Sequence, residues 1–283
     1  MRRPKGHISH RTTVSRIGTK HYASNVLKFD EATTKLSEVA YQGGDVSRRR
    51  RMAFDALHLA EDETVVDIGC GNGLLTEEIS RAVGATGRVI GIDPSDDMRA
   101  PATRRCAAIP TVEIKDGLAD ALPLQDGEAD KAVAVQVLEY LPDIPAAIGE
   151  AHRVLRKGGR FVAIDTGCKT LDWYSGDEER MRRIQDAWDH HYTEPRVAAL
   201  WPRLTRQAGF VGIEVEPFTF CDTTLRPDGI AFMLLHLMSR YAAENGHVSE
   251  EEAKAWFDEQ IDLAARDRFF FSLTYYRMSA VKP

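Results

Sequence analysis

The spacing of hydrophobic residues changes from a helical to a strand pattern near residue 63. Between about 21 and 60, apolar residues recur at intervals of three and four, which predicts two helices interrupted at Gly43 and Gly44. Residues 65–68 then form a short apolar run that ends in a loop with glycine at 69, 71 and 73. Helical spacing returns at 74–83 and stops at Gly84. A strand, a glycine loop and a helix are therefore predicted in succession.

Predicted strands and helices continue to alternate up to residue 165. Strands are predicted at 88–92, 112–115, 131–135 and 160–165, with helices at 95–106 and 142–155. Such alternation is typical of a parallel, doubly wound sheet, so the predicted fold class is α/β. A helical stretch at 176–208, a strand near 211–216 and a final strand near 270–281 follow. The helical patterns at 230–243 and 250–265 exceed what a connection needs, and we interpret them as a lid or cap.

Composition and charge exclude several classes of protein. With 43% hydrophobic and 28% charged residues the chain has the composition of a folded globular protein, and its net charge of −6 disfavours nucleic acid as a partner. The four cysteines form no CxxC pair, which argues against a zinc or other metal site and indicates a reducing compartment. No apolar stretch approaches the ~18 residues of a membrane span. We expect a soluble, cytoplasmic protein.

Two basic segments stand out near the amino terminus. Residues 1–29 contain seven Lys or Arg and no acid, a composition shared by organelle transit peptides and by solvated tails. We favour a flexible tail, with an organelle as the alternative location. The four arginines at 48–51 are interpreted as a solvated helix face.

The glycine loop and the acid after the second strand predict a nucleoside-containing cofactor. A glycine loop lets a ligand approach the backbone, and an acid at the next strand end can accept hydrogen bonds from a ribose. Asp93 fulfils the second condition. The dinucleotide pattern GxGxxG would need glycine at position 74, where the chain has Leu74. This disfavours NAD or FAD, and the G-x-G-x-G loop fits S-adenosylmethionine, although a NAD-dependent oxidoreductase stays open at this point.

Five ordered motifs resemble those of the class I methyltransferases that use S-adenosylmethionine, and their UbiE-like, type 11 branch is the most similar. They lie at 65–73, 89–98, 121–130, 136–140 and 153–160, and the resemblance extends over 45–283. It implies a Rossmann-like sheet of seven strands, the last one antiparallel. The expected organisation is a basic tail at 1–29, amino-terminal helices at 30–62, a cofactor-binding core at 63–217, a helical cap insertion at 218–268 and a closing strand at 269–283.

The resemblance also implies the residues that hold S-adenosylmethionine. They are Asp67, Gly69, Gly71, Gly73, Asp93, Met98, Leu118, Ala119 and Gln136. The family usually has Gly-Asp-Ala where this chain has Gly117, Leu118 and Ala119, so the adenine amino group must find another partner, such as Asp120.

The acceptor is expected to be a small molecule bound beyond the carboxyl ends of the strands. The predicted pocket residues are Tyr41, Tyr140, Cys168, Trp173 and Tyr275. His190 and His191 are the predicted general bases, because imidazole titrates near neutral pH and both lie in an aromatic cluster.

The carboxy-terminal half is similar to a branch of the family that contains thiol S-methyltransferases. The resemblance implies a thiol sulfur as the first choice of acceptor and an oxygen or ring carbon of a quinol or phenol as the second. Arsenite is disfavoured, because the arsenite enzymes use a cysteine ahead of the glycine loop and this chain has none before Cys70. A protein that binds the cofactor without turnover also stays open.

Overall fold

The computed structural model describes residues 39–283. The predictions for the basic tail at 1–29 and for most of the first amino-terminal helix lie outside the described residues. The chain is helical at 39–42, bends at Gly43 and continues as helix α1, Gly44–Leu57. The predicted interruption at the two glycines is therefore confirmed.

Strands and helices alternate through the rest of the chain. The first half contains β1 (Thr64–Ile68), α2 (Leu74–Val83), β2 (Arg88–Ile92), α3 (Asp96–Cys106), β3 (Val112–Lys115), β4 (Ala129–Val135) and α4 (Ile144–Val154). The second half contains β5 (Leu155–Thr166), β6 (Asp172–Trp173), α5 (Glu178–Asp189), α6 (Val197–Gln207), β7 (Val211–Asp222), α7 (Ile230–Glu244), α8 (Glu250–Ala265) and β8 (Phe271–Val281). Within residues 39–283, no helix has the length and apolar character needed to cross a bilayer.

The strands form one sheet in the order β3-β2-β1-β4-β5-β8-β6, with β7 also paired to β8. β1 to β5 are parallel, whereas β8 runs antiparallel to β5, β6 and β7. The predicted fold class and the antiparallel last strand are confirmed. The sheet has eight strands instead of seven, because the two-residue strand β6 pairs with the start of β8.

Strand β7 is longer than the sequence indicates. It continues to Asp222, past the predicted end near 216, and pairs with β8 along this extra length. Pro217, which lacks a backbone N–H, obscured the continuation in the sequence. Phe218 and Phe220 alternate inward beyond it, so burial of these rings supports the longer strand.

Hydrophobic cores cover both faces of the parallel sheet. Val65 and Val89 point to the face covered by α1, α2 and the helices α5, α7 and α8, whereas Val66 and Ile90 point to the face covered by α4 and α6. Successive residues of a strand face opposite sides, so each strand contributes to both cores. The site described below lies at the edge between these two cores.

An ion pair ties α1 to the start of α7. Asp45 in α1 accepts hydrogen bonds from Arg226 Nη2 at 2.7 and 2.8 Å and from the backbone N–H of Ile230 at 3.1 Å. The Asp45 side chain is only 12% exposed, so it is shielded from water better than most surface ion pairs. We call this contact the Asp45 clamp.

Replacement of Asp45 tests the contribution of the clamp to stability. We expect Asp45→Asn to lower the free energy of unfolding by about 1 to 2 kcal/mol, because it removes charge-assisted hydrogen bonds that are partly shielded from water. The measurement is denaturant unfolding. Asp55→Asn on the same helix is the control, since Asp55 and Arg51 form an exposed pair; its change should stay within about 0.5 kcal/mol. Equal effects of the two substitutions would contradict the clamp.

Candidate active site

The glycine loop leaves its backbone open to a ligand. Gly69 and Gly71 have φ angles of 68° and 54°, a region that glycine enters without the cost imposed by a side chain. A Cβ at Gly69 would lie 2.4 Å from Val137 Cγ2, so this position is closed by packing. A Cβ at Gly71 would meet no atom of the described chain within 4 Å. The loop is therefore packed on one side and faces free space on the other.

Asp93 faces the same loop from the end of β2. Its Oδ2 accepts a hydrogen bond from Gly71 N at 3.0 Å, and its Oδ1 accepts one from Ser95 N at 2.9 Å. Burial raises the pKa of Asp93, while the two N–H donors oppose that shift. The carboxylate is thus held rigidly with lone pairs left for hydroxyl donors.

Asp67, the last residue but one of β1, is a second buried carboxyl at this loop. Thr76 Oγ1 in helix α2 donates to Asp67 Oδ2 at 2.6 Å. Burial raises the pKa of Asp67 to about 7, the Thr76 bond lowers it, and the charge of Asp93 raises it further. The edge of the sheet therefore concentrates acidic groups that a bound cation would stabilise.

A cavity of about 240 Å³ borders the loop, and we call it the glycine-loop cavity. The predicted cofactor residues that line it are Asp67, Gly69, Gly71, Asp93, Met98 and Gln136. Gly73 does not line the cavity; it directly precedes helix α2. Leu118 and Ala119 are not among the residues that line this cavity. Asp120, next to them, has a buried Oδ1 without a hydrogen-bond partner in residues 39–283.

Gln136 connects the glycine-loop cavity to a second cavity. Its φ of 55° is unusual for a residue with a side chain, and such strain is common at functional sites. The backbone N–H donates to Ile164 O at 2.6 Å, and the side-chain Nε2 donates to Thr166 Oγ1 at 3.1 Å. Gln136 and Tyr41 line both cavities, so the two spaces meet at these residues.

The second cavity is small and aromatic, with a volume of about 90 Å³, and we call it the aromatic cavity. Its walls are Tyr41, Gln136, Tyr140, Thr166, Cys168, Leu171, Trp188, Tyr192, Met233, Leu234, Leu237, Leu273 and Tyr275. Tyr41, Tyr140, Cys168 and Tyr275 were predicted as pocket residues. Trp173, the fifth, does not line this cavity. Its ring packs against Trp256, Phe269 and Phe271, because β6 turns it into the core below α8.

The two predicted bases lie in different environments. His190 is exposed and stacks on His247, with ring centroids 4.9 Å apart, and it lines neither cavity. His191 is buried; its Nδ1 bonds to the Trp188 carbonyl, and its Nε2 lies 3.5 Å from the Tyr140 hydroxyl. Burial lowers the pKa of His191 to about 4, so this imidazole is neutral at pH 7 and a weak base. These contacts suit His191 to orienting the Tyr140 hydroxyl better than to removing a proton from the acceptor.

Arg49 is a site residue that the sequence interpretation missed. The expectation of a solvated face at 48–51 is wrong for Arg49 and Arg50: they are 6% and 11% exposed, and both residues line the glycine-loop cavity. Arg49 Nη1 donates to the Tyr275 hydroxyl at 3.3 Å, and Arg49 Nε has no partner in the described part of the chain. The helical spacing of Val46, Arg49 and Ala53 on the buried face of α1 was the available signal.

Other missed residues come from elements that only the fold brings together. Tyr192 follows α5, while Met233, Leu234 and Leu237 belong to α7 and form the wall of the aromatic cavity opposite the sheet. Their helical apolar pattern identifies them as core residues and carries no sign of a pocket. Thr166 ends β5 and lines the same cavity.

Comparison with known sequences places this site in a family. Residues 66–163 match the methyltransferase domain family. An uncharacterized 37.1 kDa protein in transposon TN4556 of Streptomyces fradiae is 33% identical over 234 residues, which cover 80% of this chain and 65% of that protein. A demethylmenaquinone methyltransferase of Staphylococcus saprophyticus is 31% identical over 185 residues, or 60% of this chain and 79% of the enzyme. The chain spans only 51% of the length of the corresponding Staphylococcus aureus MRSA252 enzyme.

Solved structures share the fold at low sequence identity. The YcgJ protein of Bacillus subtilis superposes with a TM-score of 0.59 at 16% identity, over 83% of this chain and 98% of that chain. Phosphoethanolamine N-methyltransferase 2 of Haemonchus contortus, solved with phosphomonomethylethanolamine and S-adenosylhomocysteine, gives a TM-score of 0.57 at 16% identity, over 89% and 57% of the two chains.

The mixed sheet, its antiparallel β8 and the glycine loop facing Asp93 define the class I methyltransferase fold. The chain belongs to the family of S-adenosylmethionine-dependent methyltransferases, as its 31% identity to a relative covered over 79% of its length demonstrates. The class and cofactor predicted from the five motifs are confirmed, and the NAD-dependent alternative is set aside.

Substitution of Asp93 tests its assignment as the ribose ligand. We expect Asp93→Asn to raise the dissociation constant for S-adenosylhomocysteine about 10- to 100-fold, because a charge-assisted hydrogen bond contributes roughly 1.5 to 3 kcal/mol. Calorimetric titration measures this constant. Asp96→Asn is the control, since its side chain is 94% exposed and should leave the constant unchanged. An unaltered constant in the Asp93 variant would refute the assignment.

Proposed function

We propose that this protein transfers the methyl group of S-adenosylmethionine to the sulfur of a small thiol. The observation that carries this proposal is the size of the aromatic cavity, about 90 Å³. An engineered apolar cavity of roughly 150 Å³ accommodates benzene. The space beside Gln136 therefore suits an acceptor smaller than one aromatic ring, and a short-chain thiol meets that condition.

The contact between the two cavities supports transfer of a group from one to the other. Methyl transfer is an in-line displacement, which requires the acceptor atom and the methyl group to be aligned at short distance. Tyr41 and Gln136 line both cavities, so ligands in the two spaces would meet there. The strained backbone of Gln136 fixes this junction.

The walls of the aromatic cavity suit a reaction that begins with a cation. The rings of Tyr140 and Tyr192 stack with centroids 5.6 Å apart, and Trp188 lies beside them with its centroid 6.4 Å from that of Tyr192. Aromatic faces attract positive charge, and the apolar residues of α7 exclude water. In model peptides the pKa of a cysteine thiol is about 1.5 below that of a tyrosine phenol, so an acceptor thiol of cysteine type needs a weaker base than a phenol does.

The glycine-loop cavity offers partners for the ribose, the adenine ring and the carboxylate of S-adenosylmethionine, which supplies an electrophilic methyl group when bound. Asp93 would hold the ribose hydroxyls, and Met98 would pack on the adenine. Asp120 does not line this cavity, and its buried, unpaired Oδ1 is the candidate acceptor for the adenine amino group. The unpaired Nε of Arg49 would donate to the carboxylate of the methionine part.

A quinol ring is the second candidate, and the identity to demethylmenaquinone methyltransferases favours it. A bicyclic head group exceeds the roughly 150 Å³ that a single ring requires, which is why we place it second. Arsenite remains disfavoured, because burial raises the pKa values of the Cys70 and Cys168 thiols and opposes the thiolate form that binds metalloids.

A direct assay with labelled S-adenosylmethionine tests the proposal. Purified protein is supplied with ethanethiol, ethanol or 1,4-naphthoquinol, and methylated products are counted. We expect turnover with ethanethiol and none with ethanol, its oxygen analogue. Methylation of naphthoquinol alone would replace the proposed acceptor with a quinol. Binding of the cofactor without any product would favour a protein that binds the cofactor without turnover.

Enlarging the aromatic cavity should widen the choice of thiol. Leu237 lines the cavity from α7 and is 7% exposed. We expect Leu237→Ala to raise the ratio of kcat/KM for benzyl mercaptan over ethanethiol by about tenfold, the scale on which hydrophobic pockets discriminate. Leu263→Ala is the control, because Leu263 is equally buried and lines neither cavity. A ratio that rises equally in both variants would contradict the assigned cavity.

The role of Arg49 can be separated from general damage to the site. We expect Arg49→Met to weaken S-adenosylhomocysteine binding about tenfold or more and to leave binding of methylthioadenosine unchanged, since the latter lacks the carboxylate. Calorimetry measures both ligands. Arg48→Met, an exposed neighbour, should affect neither. Equal losses for both ligands in Arg49→Met would refute the carboxylate contact.

A further inference from the structure

Two fully buried carboxyl groups lie directly behind the aromatic cavity. Glu139 belongs to the short helical turn Leu138–Tyr140 after β4, and Asp165 is the last residue but one of β5. Both are 0% exposed, and neither lines a cavity. Strands β4 and β5 are parallel neighbours, so their carboxyl ends bring these two acids to one place.

A chain of hydrogen bonds joins Glu139 to the cavity wall. Its Oε2 accepts from Thr166 N at 2.9 Å, which fixes the carboxyl group. Its Oε1 lies 3.3 Å from Thr166 Oγ1, and this hydroxyl accepts in turn from Gln136 Nε2 at 3.1 Å. Thr166 and Gln136 both line the aromatic cavity. The Thr166 hydroxyl therefore stands between the cavity and the carboxyl group.

Asp165 is held in place but incompletely satisfied. Its Oδ1 accepts from Val137 N at 2.9 Å, and the backbone N–H groups of Leu138 and Glu139 also lower its pKa, whereas its Oδ2 is buried without a close partner in residues 39–283. A buried carboxyl oxygen without a hydrogen-bond partner destabilises the ionised form of the group more than the protonated form.

The charges that face Glu139 favour a single negative charge on the pair. The titratable groups facing it are Arg49, Tyr140, Asp165, Cys168, Tyr192 and Tyr275. Arg49 is the only cation in this set, and it opposes two carboxyls. Burial raises the pKa of Glu139 to about 7 and that of Asp165 well above its usual range. The pair therefore carries one negative charge near neutral pH, and the unpartnered Oδ2 of Asp165 favours the retained proton on that residue.

We propose that Glu139, acting through the Thr166 hydroxyl, receives the proton that the acceptor thiol releases when it is methylated. This inference rests on the proposed function. The S–H bond of the acceptor breaks as its S–CH₃ bond forms, its proton passes to Thr166 Oγ1, and the hydroxyl proton of Thr166 moves to Glu139 Oε1. The sulfonium loses its positive charge with the methyl group, and Glu139 loses its negative charge, so the buried site stays neutral overall.

Proton release on ligand binding tests this independently of turnover. S-adenosylmethionine carries the sulfonium charge and S-adenosylhomocysteine does not. Calorimetric titrations at pH 7 in buffers of different ionisation enthalpy count the protons released. We expect S-adenosylmethionine to release more protons than S-adenosylhomocysteine, up to about half a proton per site from Glu139, because a pKa of about 7 leaves this group half ionised at pH 7 and the cation favours the ionised form. Glu139→Gln should lower the difference to the part that Asp67 contributes, since its pKa is also about 7, and Glu113→Gln, at a surface ion pair, should preserve the full difference. An unchanged difference in Glu139→Gln would contradict the assignment.

The pH profile of turnover separates the proton path from simple support of the fold. With ethanethiol, the acidic limb of kcat in the unaltered protein should report an apparent pKa below the value of about 7 for Glu139 in the free protein, because kcat reports the complex, in which the bound cation favours ionised Glu139. Glu139→Gln should lose that limb and lower kcat about 100-fold, the scale of general base catalysis. Thr166→Val should lower kcat while keeping the proton release on cofactor binding. This second variant tests the proton path even if Glu139→Gln does not fold.

The outcomes distinguish this inference from the function on which it rests. If neither ligand binds, the proposed function fails. If both ligands bind with equal proton counts in the unaltered protein, or if Thr166→Val keeps full kcat, Glu139 is not the proton acceptor and the methyl transfer proposal stands on its own assay.

Discussion

The site depends on the register of the parallel strands. Ile68 pairs with Ile92, so Gly69 and Asp93, which follow them, lie side by side. Val135 pairs with Ile164, so Gln136 and Asp165 are brought together in the same way. A shift of one residue in either pair would turn alternate side chains to the opposite face and separate these groups. Backbone pairing between the strands thus sets the distances between these site residues at the carboxyl ends of the strands.

The same register gathers more negative than positive charge in a buried region. Asp67, Asp93, Glu139 and Asp165 are all less than 10% exposed, and the cations that line the glycine-loop cavity are Arg49 and Arg50, of which Arg50 is paired with Glu78. Burial raises the pKa of each of these four carboxyl groups. Hydrogen bonds to the carboxyl groups oppose this shift but do not cancel it. Such an edge favours a ligand that brings a positive charge, which a sulfonium does and its demethylated product does not.

The sequence predicted most of the fold because strand and helix periods were clear and each strand end carried a distinct signal. Glycine spacing and Asp93 identified the loop and its partner from local chemistry alone. Arg49 and Arg50 were missed because a run of four arginines hides the two that line the glycine-loop cavity, and Glu139 because a lone acid after a strand has no periodic signature. His190 and His191 lie in different environments, since adjacent histidines on a helix end need not face the same surroundings. The residues of α7 that line the aromatic cavity could not be predicted, because only tertiary packing brings them to the cavity and no local pattern encodes that packing.

The Asp45 clamp links the walls of the two cavities. Helix α1 places Arg49 at one cavity, and helix α7 places Leu237 at the other, while Asp45 holds the start of α7 through Arg226 and the backbone N–H of Ile230. Because a single carboxylate makes these contacts, a change at Asp45 would disturb the walls of the donor and acceptor spaces together.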